Sequence, residues 1–262
     1  MEEGSCLLWQ KNIMHKLSVV MITRNADVLL DRCLASVQSI ADEVVAVDAG
    51  STDRTIPILS AAGARIIRTR SNHLGRNKAR GIAEATHPLI LLLDSDEILS
   101  PLLVRSIRRV KRSKTISNGY HIRFHNHYRD KRLRYGGEHY VMVRLFRRNK
   151  LRFRANSVHE HVETPHHDVP MLSGHINHYS YRSISQMVAK FTQYALLESR
   201  AKYRAGEHSS AKKILLYPVH MFWARFIKDK GYRDGLWRLP LDIGFAYMEW
   251  LTYTSLALRG MK

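Results

Sequence analysis

The chain has 262 residues, enough to bury a full hydrophobic core without disulfide or metal staples. Its composition, 45% apolar and 25% charged, excludes disordered, collagen-like and mucin-like classes. The 42 Lys and Arg against 23 Asp and Glu leave a net charge of +19, which predicts a polyanionic partner: nucleic acid, an anionic lipid surface or a phosphate-bearing substrate.

Residues 1–16 read as a tail. Met1-Glu2-Glu3 is acidic where a secretory signal is basic, and the apolar stretch at 6–9 is too short for a signal core. Cys6 and Cys33 show no metal-type spacing, so a reducing compartment is expected and a disulfide framework is not.

The run LSVVMIT at 17–23 has the length and branching of a strand covered on both faces. Leu29, Leu30, Cys33, Leu34 and Val37 then fall at helical spacing, with Asn25 or Asp27 as the expected cap. A second buried strand at 44–47 ends in Asp48-Ala49-Gly50-Ser51-Thr52-Asp53 and leads into a helix closed by Gly63. A third strand at 64–69, a third helix at 76–86 and a fourth strand at 89–93 follow, the last ending in Asp94-Ser95-Asp96-Glu97, after which Pro101 opens another helix. Such alternation predicts a doubly wound α/β unit over 17–112, with a parallel sheet.

Beyond Gly119 the period becomes two: Tyr120, Ile122, Phe124 and Tyr128 alternate with His121, Arg123, His125 and His127. With further strands at 140–147 and 174–179, residues 113–182 read as a mixed extension of the first sheet. Residues 183–262 read as basic amphipathic helices. The stretch 214–227 holds His220 and Arg225, and 241–258 holds Asp242 and Glu249, which suits an interfacial position better than a spanning one.

In an open parallel sheet, ligands bind beyond the carboxyl ends of the strands, near the point where strand order reverses. Asp48 and the pair Asp94 and Asp96 are expected there. Alternating acids after a buried strand offer oxygen ligands to Mg²⁺ or Mn²⁺, which would bridge a diphosphate and neutralise it as it leaves. No Gly-rich dinucleotide turn or P-loop follows any strand, so Asp48 is a candidate for base or ribose, and Arg76 with Asn77 at a helix start for phosphate. For Asp53 a helix cap is as good a reading as a ligand.

The segments LSVVMITRN, VVAVDAGSTDRT, LGRNKARGIAEAT, LILLLDSDEIL, VRLFRR and SVHEHV together resemble glycosyltransferase family 2, in particular its bacterial lipopolysaccharide core β-glucosyltransferase-like branch. The resemblance covers 17–182 and implies a GT-A fold, a UDP-sugar donor, glucose as the sugar, and inversion by direct displacement. It implies Thr23, Asn25, Asp48, Ser51, Arg76, Asn77, Asp94 and Ser95 as nucleotide-sugar contacts and Asp96 with Asp94 as metal ligands. The acceptor it implies is a saccharide or lipid-linked saccharide. The basic C-terminal helices suit a peripheral place on the cytoplasmic face of an anionic membrane, and no specific nucleic acid is expected. Direct displacement needs a general base. Glu160, in His159-Glu160-His161, is the first choice and Glu138 the second, where many relatives carry an Asp.

Two alternatives compete. A nucleic-acid-binding protein would use the +19 charge and the rings among basic residues at 120–134, though no signature of such modules is present. A nucleotidyltransferase would keep the fold, but calls for a Gly-rich basic stretch after the first strand, where Arg24-Asn25 leads straight into a helix.

Overall fold

The computed structural model describes residues 14–155, 161–163 and 169–260. The unbroken apolar runs become β1 (Leu17–Thr23), β2 (Glu43–Asp48) and β4 (Leu89–Leu92), and with β3 (Arg65–Arg68) they form a parallel set ordered β3-β2-β1-β4. Helices α1 (Asp27–Val37), α2 (Thr55–Ala61) and α3 (Leu74–Glu84) connect them. One core lies between the sheet and α1, where Leu30, Cys33 and Val37 meet Val19, Met21 and Leu91; a second lies under α3, where Ile82 meets Val20, Val45 and Ile90. Strands covered on both faces have no polar side to show, hence their unbroken apolar sequences.

The start of α1 departs from expectation. Ala26 is its N-cap residue and no side chain of the helix's own end caps it. Asn25 sits at φ +49° with its Oδ1 accepting from the Thr52 N–H at 2.9 Å, so it staples two loops. The capping falls to Asp53, whose carboxylate accepts from the Asp27 N–H at 3.2 Å and the Thr55 N–H at 3.0 Å, serving α1 and α2 together.

After Asp94-Ser95-Asp96 comes a short strand, β5 (Glu97–Leu99), too brief to show a period in sequence. Helix α4 (Pro101–Arg112) opens as expected, with the Ser100 Oγ accepting from the Leu103 N–H at 3.3 Å. Then come β6 (Gly119–Tyr128), β7 (Lys131–Arg132), β8 (Val141–Arg147), the ribbon of β9 (Arg152–Arg154) and β10 (His161–Glu163), and β11 (Met171–Tyr181). The main sheet has nine strands, ordered β3-β2-β1-β4-β8-β6-β11-β5 with β7 on β6. Strand β8 runs antiparallel to both β4 and β6, while β5 reaches across to pair antiparallel with β11 at the far edge. The sheet thus crosses residue 112 without interruption.

The alternation in β6 sends Tyr120, Ile122 and Phe124 into the core with Leu103 and Ile107. Tyr128 is buried too, beside Leu133. The rings that a nucleic-acid reading needs for stacking bases are therefore taken by the core.

Helices α5 (Ile184–Arg204), α6 (Ala211–Trp223) and α7 (Leu239–Gly260) follow, with a π-helical turn at Ala224–Lys228 and 3₁₀ turns at Gly231–Asp234 and Leu236–Arg238. Met187, Phe191 and Leu241 pack α5 and α7 onto Tyr128 and Leu133. Arg238, 0% exposed, locks the arrangement: Nε donates to Asp242 at 2.8 Å, and Nη1 donates to Asp234 at 3.0 Å and to the Tyr135 carbonyl at 2.8 Å. Among the described residues, no helix is long and apolar enough to cross a membrane.

Candidate active site

At the carboxyl end of β2, Asp48 is 2% exposed and organises the loop after it. One oxygen accepts from the Gly50 and Ser51 N–H groups at 3.0 and 2.9 Å; the other accepts from Thr23 Oγ1 at 3.0 Å and Ser51 Oγ at 2.5 Å. A carboxylate has about four lone-pair sites, and here all are filled. A direct Asp48 contact to uridine, as the resemblance implies, requires one of these bonds to be exchanged. Gly50 at φ +83° turns the chain tightly enough for two successive N–H groups to reach one oxygen.

Beside this loop lies a hollow of about 470 Å³, lined by Asp48, Gly50, Ser51, Ile56, Arg68, Thr69 and Arg70. Arg68, Thr69 and Arg70 escaped the sequence reading. The signal was present, because the end of every parallel strand borders such a crevice and β3 ends on two cations. Asn77 lies elsewhere: it is buried, and its Nδ2 donates to the Ser71 carbonyl at 2.8 Å, fixing the turn before α3. Arg76 is exposed on the first turn of α3, where its N–H bonds the His73 ring at 3.2 Å.

The second acidic cluster stands at the end of β4. Since β1 separates β2 from β4, the two strand ends are about 10 Å apart at ordinary strand spacing. Asp94 and Asp96 are not among the residues lining the hollow. Asp94 is engaged by cations: Lys78 Nζ lies 3.0 Å from its Oδ1, and Arg144 Nη2 lies 3.3 Å from Oδ2. Burial raises the Asp94 pKa, but Lys78 and then Arg144 outweigh it and hold the group at about 2. Asp94 is thus the counter-ion of two buried cations. Glu97, fully buried, shares Arg144 Nη2 with Asp94, at 2.7 Å, and accepts from the Asp94 N–H at 2.8 Å.

Asp96 has a different setting. Its Oδ1 is 3.6 Å from His178 Nε2 on β11. Burial raises the Asp96 pKa, but the charge of His178 and its hydrogen bond overcome this and keep the carboxyl well below the usual range. His178 Nδ1 lies 3.1 Å from Asn126 Oδ1 and 3.2 Å from the Tyr140 hydroxyl, which fixes the ring. Neither His178 nor Lys78 and Arg144 stood out in the sequence, because nothing local ties them to an acidic loop. Ser95, between the two acids, is half-buried.

Among the described residues, no three His, Cys, Asp or Glu side chains converge as a metal-ligand set. This still suits Mg²⁺ or Mn²⁺, which keeps several waters and is held by one or two carboxylates with the substrate's phosphates. Asp96 is the carboxylate best placed for that.

Glu138, the second choice for base, is 6% exposed and ion-paired to Arg225, with Arg238 Nη2 at 3.6 Å and Asn126 Nδ2 donating at 3.0 Å. These contacts tie the loop at 134–138 to the C-terminal helices. Glu160, the first choice, and His159 lie outside the described residues, and of His161 only the backbone in β10 is described.

A parallel nucleotide-crevice sheet, continued by mixed strands and carrying an acidic loop at the end of its fourth strand, defines an α/β fold of the GT-A type. The sequence profile of the family described as Glycosyl transferase family 2 matches residues 18–168, more than half of the chain. The chain belongs to this family and is an enzyme that transfers a sugar from a nucleotide sugar. It is 28% identical over 258 residues to an uncharacterized glycosyltransferase of Rickettsia bellii, covering 92% of this chain and 86% of that one. A Rickettsia conorii relative is 26% identical over 269 residues, covering 96% and 93%. Among solved structures, glucosyl-3-phosphoglycerate synthase from Mycobacterium tuberculosis, in complex with Mn²⁺, UDP and glucosyl-3-phosphoglycerate, matches at 23% identity over 44% of each chain with a TM-score of 0.34.

Proposed function

We propose that the chain is an inverting transferase that moves a hexose, glucose in our reading, from a UDP-sugar to a saccharide or lipid-linked saccharide acceptor. The placement of Asp96 carries this reading: an ionised carboxylate beside His178, about two strand spacings from a hollow edged by Arg68 and Arg70. The uridine would occupy that hollow, the arginines and the α3 end would meet the diphosphate, and Asp96 would be the carboxylate that holds Mg²⁺ or Mn²⁺. Bound there, the cation supplies Lewis acidity to the leaving diphosphate. Lys78 and Arg144 engage Asp94, which leaves Asp96 as the carboxylate that would meet the metal. A carboxylate at position 160 takes the acceptor proton. In this reading the work belongs to lipopolysaccharide core or other envelope glycan synthesis, peripheral on the cytoplasmic face of the membrane.

The test is a melting-temperature screen of UDP-, GDP- and dTDP-sugars with and without Mn²⁺, because a ligand that binds the folded state raises the transition without the acceptor being known. UDP-glucose is expected to raise it in the presence of Mn²⁺, and Asp96→Ala to abolish the Mn²⁺-dependent part with the fold kept. Equal shifts for wild type and Asp96→Ala, or a shift confined to GDP-sugars, would overturn the assignment. Transfer by Glu160→Gln is expected to fall by a factor of about 10² or more with donor binding kept.

A further inference from the structure

Helix α6 carries an apolar row with no partner among the described residues. Leu215, Leu216, Val219 and Trp223 recur on one side of the helix and are 67, 53, 65 and 48% exposed, and Ile227 on the π-helical turn continues the row at 47%. No residue of α6 is buried. The other side faces α7, where the Tyr217 ring meets the Tyr253 ring edge-on at 4.9 Å. Contiguous exposed apolar surface of this kind marks a protein or membrane contact.

The charges around the row choose between these. From residue 211 to 228 there is not one acidic side chain; Lys212 precedes the row and Lys228 and Lys230 follow it, whereas Lys213 turns to the α7 side, donating to the His208 carbonyl at 2.9 Å and lying over the Tyr253 ring. Lysines at both ends with Trp223 among the apolar residues is the pattern of a helix lying in the plane of a headgroup layer, the stems buried and the ammonium groups on lipid phosphate. Thirteen residues make a helix about 20 Å long, short of the ~30 Å hydrocarbon layer, so it can lie on a bilayer but not span it.

We propose that α6 and the turn after it are the membrane seat of this protein, with Leu215, Leu216, Val219, Trp223 and Ile227 inserted into an anionic bilayer. The seat is bonded to the catalytic sheet. Arg225 in the turn pairs with Glu138, and the Gly136 N–H donates to the Asp229 carbonyl at 2.9 Å. The loop they hold leads into β8, whose Arg144 contacts Asp94 and Glu97. The crevice is therefore held at a fixed height above the lipid, which suits a saccharide acceptor carried on a membrane lipid; that last step rests on the transferase reading above.

Flotation of the full chain on vesicles of phosphatidylcholine alone, and of phosphatidylcholine with phosphatidylglycerol, tests the seat. Wild type is expected to float with the anionic vesicles, and the double variant Leu215→Glu with Val219→Glu to lose this by a factor of ten or more. Because both positions are exposed, folding is expected to be kept, checked by circular dichroism. The triple variant Lys212→Gln, Lys228→Gln and Lys230→Gln is expected to bind anionic vesicles no better than neutral ones. Undiminished flotation of the double variant would overturn the proposal. So would a wild type that stays with the solvent and runs as a dimer which the double variant disperses. Donor-induced melting shifts read on the same samples separate failure of the seat from failure of the transferase reading.

Discussion

His125 shows what a single position does in this sheet. Its ring stacks on His175 with centroids 3.6 Å apart, and Nε2 lies 2.8 Å from Arg132 Nη2, which can only donate, so the imidazole accepts there and is neutral. Burial, then the neighbouring His175 and Arg132 charges, lower its pKa to about 4 from 6.5. Between these values the unfolded chain binds a proton that the native state refuses, so the contribution to stability is complete above 6.5 and is lost as pH falls through about 4. His125→Gln is expected to flatten the melting-temperature profile across that window, and a profile as steep as wild type would count against the assignment. Asp48 acts at the same scale. Asp48→Ala leaves two N–H groups and two hydroxyls of the loop without their acceptor, at an expected cost of about 1–3 kcal/mol in urea unfolding.

Among the elements, close approach and buried charge decide. Gly174 on β11 sits at φ +98°, and a Cβ there would lie 2.3 Å from the Leu103 backbone nitrogen in α4. Gly174→Ala is expected to destabilise by about 2 kcal/mol or more, since backbone cannot give way as a side-chain tip can. Arg238→Met removes one partner from Asp242, itself 0% exposed, and is expected to cost about 3–5 kcal/mol by chemical denaturation. The elements differ in how readable they were. The parallel strands were legible because burial on both faces writes itself as apolar runs, and β6 because one-sided burial writes itself as alternation. Strand β5 was not, being three residues long. The acidic loop was found from its place after β4, but its partners were not. Lys78, Arg144 and His178 come from α3, β8 and β11, and only the fold brings them to Asp94 and Asp96. The same limit hid the partners of Asp48 and Glu138: Thr23 and the loop N–H groups on the first, Arg225 and Arg238 on the second.

At the scale of the whole molecule, the C-terminal helices are part of the catalytic framework. Tyr128 and Leu133 are covered by Met187, Phe191 and Leu241, and Glu138 is neutralised from Arg225 and Arg238. A chain ending at 182 would expose the first pair and leave the carboxylate buried without its cations. It is expected to melt well below the full chain and to bind donor less tightly, which differential scanning fluorimetry with UDP-sugar reads directly. Retained melting temperature in the shortened chain would refute this coupling.

The reach of β5 across to β11 has a consequence for how such enzymes diversify. A strand donated by the first half closes the edge built by the second, so the halves are laced together and neither can be exchanged as a cassette. A chimera joined at residue 113 would pair a borrowed edge with a foreign β11 and lose register. New acceptor preferences are thus expected to arise by changes within loops rather than by exchange of whole segments.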